Sequence, residues 1–121
     1  MKPTIDGISF GAITIAGREY AHDVIILPDG TVEKRNKKLS RMIFGDSHKV
    51  SEKEAAHIHR EGAELIIIGN GHYGELELSG EAKKYFSEMR CDVEVLNSRK
   101  AVARYNQTEH SGVIAMIHVT C

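Results

Sequence analysis

Leu65-Ile66-Ile67-Ile68-Gly69-Asn70-Gly71 is a continuous apolar run, Leu65 to Ile68, that ends in a Gly-Asn-Gly loop. Four apolar residues without polar alternation predict a strand covered on both faces, as in a sheet with helices packed on it. Upstream, Ser51-Glu52-Lys53-Glu54 reads as a capping box: the serine hydroxyl accepts from the amide three residues on, and Glu54 reaches back. The helix it opens carries Ala55 and Ile58 inward and is expected to end near Gly62. Downstream, a second helix starts at Ser79, with Ala82, Tyr85, Phe86 and Met89 on one stripe. Asp92 to Leu96 is the next strand, expected to lie parallel to 65–68 through a right-handed crossover. A third helix starts at Asn97 or Ser98 and turns Ala101, Val102 and Tyr105 inward; Gly112 stops it, and Val113 to Val119 is the last strand.

The N-terminal third reads differently. Ile8 to Ile15 alternates with period two, broken by Gly11, and Ala16-Gly17-Arg18 turns the chain. Val24 to Leu27 is a strand, Pro28-Asp29-Gly30 a turn, and Thr31 to Arg35 the antiparallel return. Residues 36–50 read as a connecting segment with a helical turn. The predicted fold is a single α/β domain over residues 1–121 with a mixed central sheet: N-terminal β-hairpins followed by α-β-α-β-α-β.

Composition narrows the function classes. The net charge is −1, with both signs spread along the chain, so no general attraction to nucleic acid or an anionic membrane is expected. The basic run Lys34-Arg35-Asn36-Lys37-Lys38, followed by Arg41, has no interleaved aromatic residues and reads as a solvated loop. An apolar run the length of Leu65–Ile68 is far too short to span a bilayer, and no leader h-region is read at the N-terminus. The expected location is cytoplasmic, and the expected state a monomer or weak homodimer.

Ligands of open α/β sheets bind beyond the carboxyl ends of the parallel strands. Two loops belong there, 69–75 and 97–100. The first holds Gly69, Gly71 and Gly74 within six residues, with Asn70, His72 and Tyr73 as its polar side chains. It is neither a dinucleotide fingerprint nor a P-loop, because no helix opens at its third glycine and no Lys-Ser/Thr follows. A tight turn requiring positive φ is the competing reading. In the second loop, a helix N-terminus offers free amides beside Ser98, Arg99 and Lys100. Cations there oppose the helix dipole at a cost of roughly a few tenths of a kcal/mol, which anion binding would explain.

Metal and thiol chemistry find less in the spacing. His57 and His59 point to different faces of a helix, His57 with Glu61 reads as a solvated pair, and no metal or cofactor is expected. His48 and His110 read as loop residues, and Asp46, Glu75 and Glu77 as surface acids. His118 and Cys121 place an imidazole near a thiol, but on opposite faces if the strand persists. A Cys91–Cys121 bridge requires their strands to run antiparallel.

The second half, from Leu65 to Gly71, Asp92 to Ser98, and through Ala101, Tyr105 and Asn106, resembles the small Mth-type domain family. Ile8 to Gly11, Pro28-Asp29-Gly30 and the ending His118-Val119-Thr120-Cys121 extend the likeness along nearly the whole chain. The family includes an adipogenesis-associated protein and, more distantly, a mitochondrial respiratory complex I assembly factor. The resemblance implies a three-layer domain whose last strand runs antiparallel to its neighbours, and a function largely uncharacterised. It maps the family's G-x-G onto Gly69 and Gly71, its loop threonine onto Ser98, and its tyrosine-asparagine pair onto Tyr105 and Asn106. Where many members carry an arginine soon after the following glycine, this chain has Val113, and it has no tryptophan.

The leading functional expectation is a small-anion or metabolite-binding domain with a cleft between loops 69–75 and 97–100. Its ligand-binding residues are Gly69, Asn70, Gly71, His72, Ser98, Arg99, Lys100 and Asn106. A protein-interaction or assembly module is the alternative. An enzyme using Cys121 or His72 is the second alternative.

Overall fold

A computed structural model describes residues 2–121. The apolar run becomes strand β7 (Leu65–Gly69), and every residue in it is buried. Its side chains divide by parity. Ile66 and Ile68 enter one core with Ala55 and Ile58 of α2 (Glu52–Ile58) and Ala82 and Phe86 of α3 (Gly80–Glu88). Leu65 and Ile67 enter the opposite core with Ala101 and Tyr105 of α4 (Ser98–Gln107), joined by Ile5, Ile13 and Ile15. Each fully buried isoleucine contributes about 1.5–3 kcal/mol of transfer free energy, so the run stabilises both layers at once.

The central sheet is mixed, in the order β5-β4-β10-β7-β9. Here β4 is Val24–Ile26, β5 Val32–Lys34, β9 Asp92–Leu96 and β10 Val113–Ile117. Strands β4 and β5 are antiparallel across the Pro28-Asp29-Gly30 turn, and β7 and β9 are parallel, both as expected. The three-layer architecture holds as well. β1 (Ile5–Ser9), β2 (Ala12–Ile15) and β3 (Arg18–Tyr20) form an antiparallel sheet that shares one face with α4; α2 and α3 cover the other.

The last strand departs from expectation. β10 is antiparallel to β4 but parallel to β7. The reason is topological: α4 carries the chain back to the starting end of the sheet, and a strand entered from that end runs with β7. Ile117, Gly69 and Leu96 therefore lie in register, and the segments after three strands leave from one edge. β9 and β10 share one direction, so Cys91 and Cys121 lie toward opposite ends of the sheet, and both are free thiols.

Other boundaries moved for local reasons. Gly11, with φ of 90°, divides two strands rather than interrupting one. The segment 36–50 contains a full helix, α1 (Lys38–Phe44), and a short strand β6 (Lys49–Val50). β6 pairs in parallel with β8 (Glu77–Leu78), an interaction of two residues per strand that periodicity does not reveal. Helix α2 ends at Ile58, before Gly62. Half of the capping box forms: Ser51 Oγ accepts from the Glu54 amide at 3.1 Å. The Glu54 carboxylate does not reach back, because Arg35 claims it.

Candidate functional site

At the carboxyl edge of β7, β9 and β10, the two expected loops do meet. They are bonded directly to each other. Gly71 N–H donates to Ser98 Oγ at 2.9 Å, and Ser98 N–H donates to Gly71 O at 3.1 Å. Ser98 Oγ donates in turn to His118 O at 2.5 Å. The glycines allow this close approach. A Cβ at Gly69 would stand 2.9 Å from Ser98 Oγ, and one at Gly71 would stand 2.1 Å from the Cys121 carbonyl carbon. Gly71 also has φ of 105°.

The 118–121 segment is laid over the glycine loop. His72 N–H donates to Thr120 O at 2.8 Å, and the Tyr73 and Glu75 amides donate to Cys121 O at 3.2 and 3.1 Å. Asn70 Oδ1 and His72 Nε2 are buried polar atoms with no hydrogen-bond partner among the described residues. Arg99 and Lys100 are exposed on the first turn of α4. Asn106 lies toward the other end of that helix, roughly 12 Å away along its axis. There its side-chain amide clamps Ile5, accepting from Ile5 N–H and donating to Ile5 O, each at 2.9 Å. Tyr105 beside it is core, and burial pushes its hydroxyl up to about 12. The structure thus brings Gly69 to His72 together with Ser98, and separates Asn106 from them.

A second constellation was not visible in the spacing. Asp23, Arg35, Glu54 and His118 are all charged or ionisable, and each is at most 3% exposed. Asp23 Oδ2 accepts from Arg35 Nη1 at 3.0 Å and from His118 Nδ1–H at 2.8 Å; Asp23 Oδ1 accepts from the Val119 amide at 2.8 Å. A carboxylate only accepts, so the proton of this contact sits on Nδ1. His118 Nε2 faces Thr120 Oγ1 at 3.3 Å, so the imidazole is engaged at both nitrogens. Arg35 meets Glu54 with two donors: Nε at 2.6 Å and Nη2 at 3.0 Å. Ser40 Oγ also donates to Glu54. Burial by itself pushes the Asp23 carboxyl up. The hydrogen bond and charge of His118, the Val119 amide and Lys37 outweigh it and hold the group well below the usual carboxylate range.

Asp23 and Arg35 of this network line a cavity of about 760 Å³, a size suited to a small metabolite. Buried Asp23 and Arg35 lie on its protein side, with exposed Lys34, Lys38 and Arg41 toward solvent. Half-buried Lys37 comes within 3.7 Å of Asp23. His22, His57, Val119 and Thr120 complete the part that bears on recognition. The only sequence signal for it is the basic run 34–38 with Arg41. Aligned on one loop it reads as solvated; folded over Asp23 it becomes a concave basic surface.

The protein-family description that matches this chain is "Protein of unknown function (DUF498/DUF598)", over residues 5–118. No curated protein matches. Among solved structures, the conserved hypothetical protein PH1505 from Pyrococcus horikoshii OT3 is similar at 32% identity, covering 98% of this chain and 99% of that one, with TM-score 0.92. A structure described as MT938 is 37% identical, covering 99% and 100%, with TM-score 0.84. A Bordetella pertussis protein described as a Mth938-like domain shares the fold at 16% identity and TM-score 0.66, covering 97% and 85%. With a family match over nearly its whole length and two full-length relatives above 30% identity, the chain belongs to the DUF498/DUF598 family of small Mth-type domains.

Proposed function

We propose that this domain binds a small anion or an anionic metabolite in the cavity that Lys34 to Lys38 and Arg41 form with Val119 and Thr120. The supporting observation is an imbalance of charge. Five cationic side chains line the cavity against one carboxylate, Asp23, whose oxygens are already taken by Arg35, His118 and the Val119 amide. Lys34, Lys38 and Arg41 have no acidic partner among the described residues. A guest carrying phosphate or carboxylate would satisfy them, and Arg41 offers a planar fork for either group.

A second reading keeps the ligand at the glycine loop, supported by the unpartnered Asn70 Oδ1 and His72 Nε2. The Gly71 and Ser98 amides contribute less there than free amides would, because each already donates to the other residue. Titration with inorganic phosphate, followed by amide chemical shifts, separates the two. Lys34→Ala with Arg41→Ala should abolish saturable shifts and leave Asn70→Ala with His72→Ala like the parent. The opposite pattern moves the site to the loop. No saturable shift in the parent at low ionic strength removes anion binding at both places.

A further inference from the structure

Three segments far apart in sequence converge where the 118–121 segment crosses the glycine loop. His48 leads into β6, Glu75 closes the 69–75 loop, and Cys121 follows β10. A ring nitrogen of His48, a carboxylate oxygen of Glu75 and Cys121 Sγ all lie within 4.8 Å of one another.

Their backbones are tied together. Glu75 N–H donates to Cys121 O at 3.1 Å, and Glu77 N–H donates to His48 O at 2.9 Å. The His48 amide is held in addition by Asp46 Oδ1 at 2.9 Å. The His48 ring stands edge-on to the buried His118 ring, with centroids 5.7 Å apart. The backbone frame is therefore fixed, while the three side chains are exposed or half-buried. Tetrahedral zinc with its usual bond lengths sets neighbouring donor atoms roughly 3.3–3.8 Å apart, and side-chain rotation of about 1 Å closes that gap.

We propose that His48, Glu75 and Cys121 form a site for a divalent transition-metal ion, with zinc as the ion its donors fit. The donor set is one nitrogen, one oxygen and one sulfur, which suits a borderline-soft cation and disfavours calcium and magnesium. The carboxylate and the thiolate together balance a dication, and the imidazole adds none. Binding releases the thiol proton to solvent. Three protein ligands leave a fourth position for water or an exogenous donor. Cys91 does not compete: it is buried beside Asp92, and burial first, then that charge, pushes its thiol up to about 11.

Titrating the reduced full chain with Co²⁺ tests the assignment, followed by competition with Zn²⁺. The expected result is a thiolate-to-cobalt charge-transfer band that saturates at one ion per chain and is displaced by zinc. Cys121→Ser should abolish the band, and Cys91→Ser should leave it. His48→Gln and Glu75→Gln should each weaken zinc binding at least about tenfold, since even outer-shell changes at metal sites have effects of that size. Thermal melts of the metal-free variants matching the parent show that the fold is intact. A parent without the band overturns the proposal, as does a band surviving Cys121→Ser. A band indifferent to both His48→Gln and Glu75→Gln overturns the three-ligand set.

Discussion

Asp23 is a buried carboxylate that accepts from three groups at once. It joins the β5 side of the sheet through Arg35 and the end of β10 through His118 and Val119. Its folded pKa lies below the unfolded value near 4, so its contribution to stability is complete above that pH and is lost as pH falls from there toward the folded value. Asp23→Asn should lower the unfolding free energy by about 3–5 kcal/mol at neutral pH, because Arg35 and His118 stay buried with a partner removed. It should also flatten the acid limb of stability. Urea denaturation of parent and variant at neutral pH and below about pH 4 measures both; an equally steep acid limb in the variant would show that other carboxylates govern it. Nothing in the sequence around Asp23 distinguishes it from a surface acid, because its partners are 12, 95 and 96 residues away.

At the scale of elements, Ser98 shows what the carboxyl edge is built for. It opens α4, its hydroxyl accepts from the loop after β7, and it donates to the end of β10. Ser98→Ala leaves the buried Gly71 amide and the His118 carbonyl without that partner, which should destabilise the domain by about 1–3 kcal/mol. Amide exchange should quicken at Gly71 and along the 118–121 segment before it does in β7. Unchanged exchange there would mean that water replaces the hydroxyl. Helices α2, α3 and α4 were legible, and α1 only as a helical turn: Ser51, Ser79 and Asn97 cap α2, α3 and α4 as their positions imply. The role of Ser98 was only half legible, since a hydroxyl at a loop after a strand reads equally as a ligand contact or as a strut.

For the whole molecule, strand direction decides which groups can meet. Because β9 and β10 run the same way, Cys91 and Cys121 are held apart. A thiol reagent at mildly alkaline pH should therefore modify one cysteine quickly in the native protein, and both in denaturant. Peptide mapping should place the fast site at Cys121, the less buried of the two. Fast modification at Cys91, whose thiol is held up at about 11, would require the β9 end of the sheet to open.

Leu65 to Ile68, the capping serines and the Pro28-Asp29-Gly30 turn determined by themselves that this is a mixed α/β domain with a doubly covered strand. Those features act within a few residues, through hydrophobic periodicity, hydrogen bonds of the first helical turn and backbone φ, so a linear sequence displays them. The two-residue pairing of β6 with β8, the direction of β10 and the filling of the loop edge by the 118–121 segment were decided only in three dimensions. So were both constellations that carry chemistry: Asp23 with Arg35, Glu54 and His118, and His48 with Glu75 and Cys121. Their members interact through Coulomb forces, hydrogen bonds and ligand geometry that reach only a few ångströms. Only the folded chain sets those distances: Lys34, Val24, Ile117 and Gly69 lie in register at one edge of the sheet, and α2 and the start of β6 bring Glu54 and His48 to it.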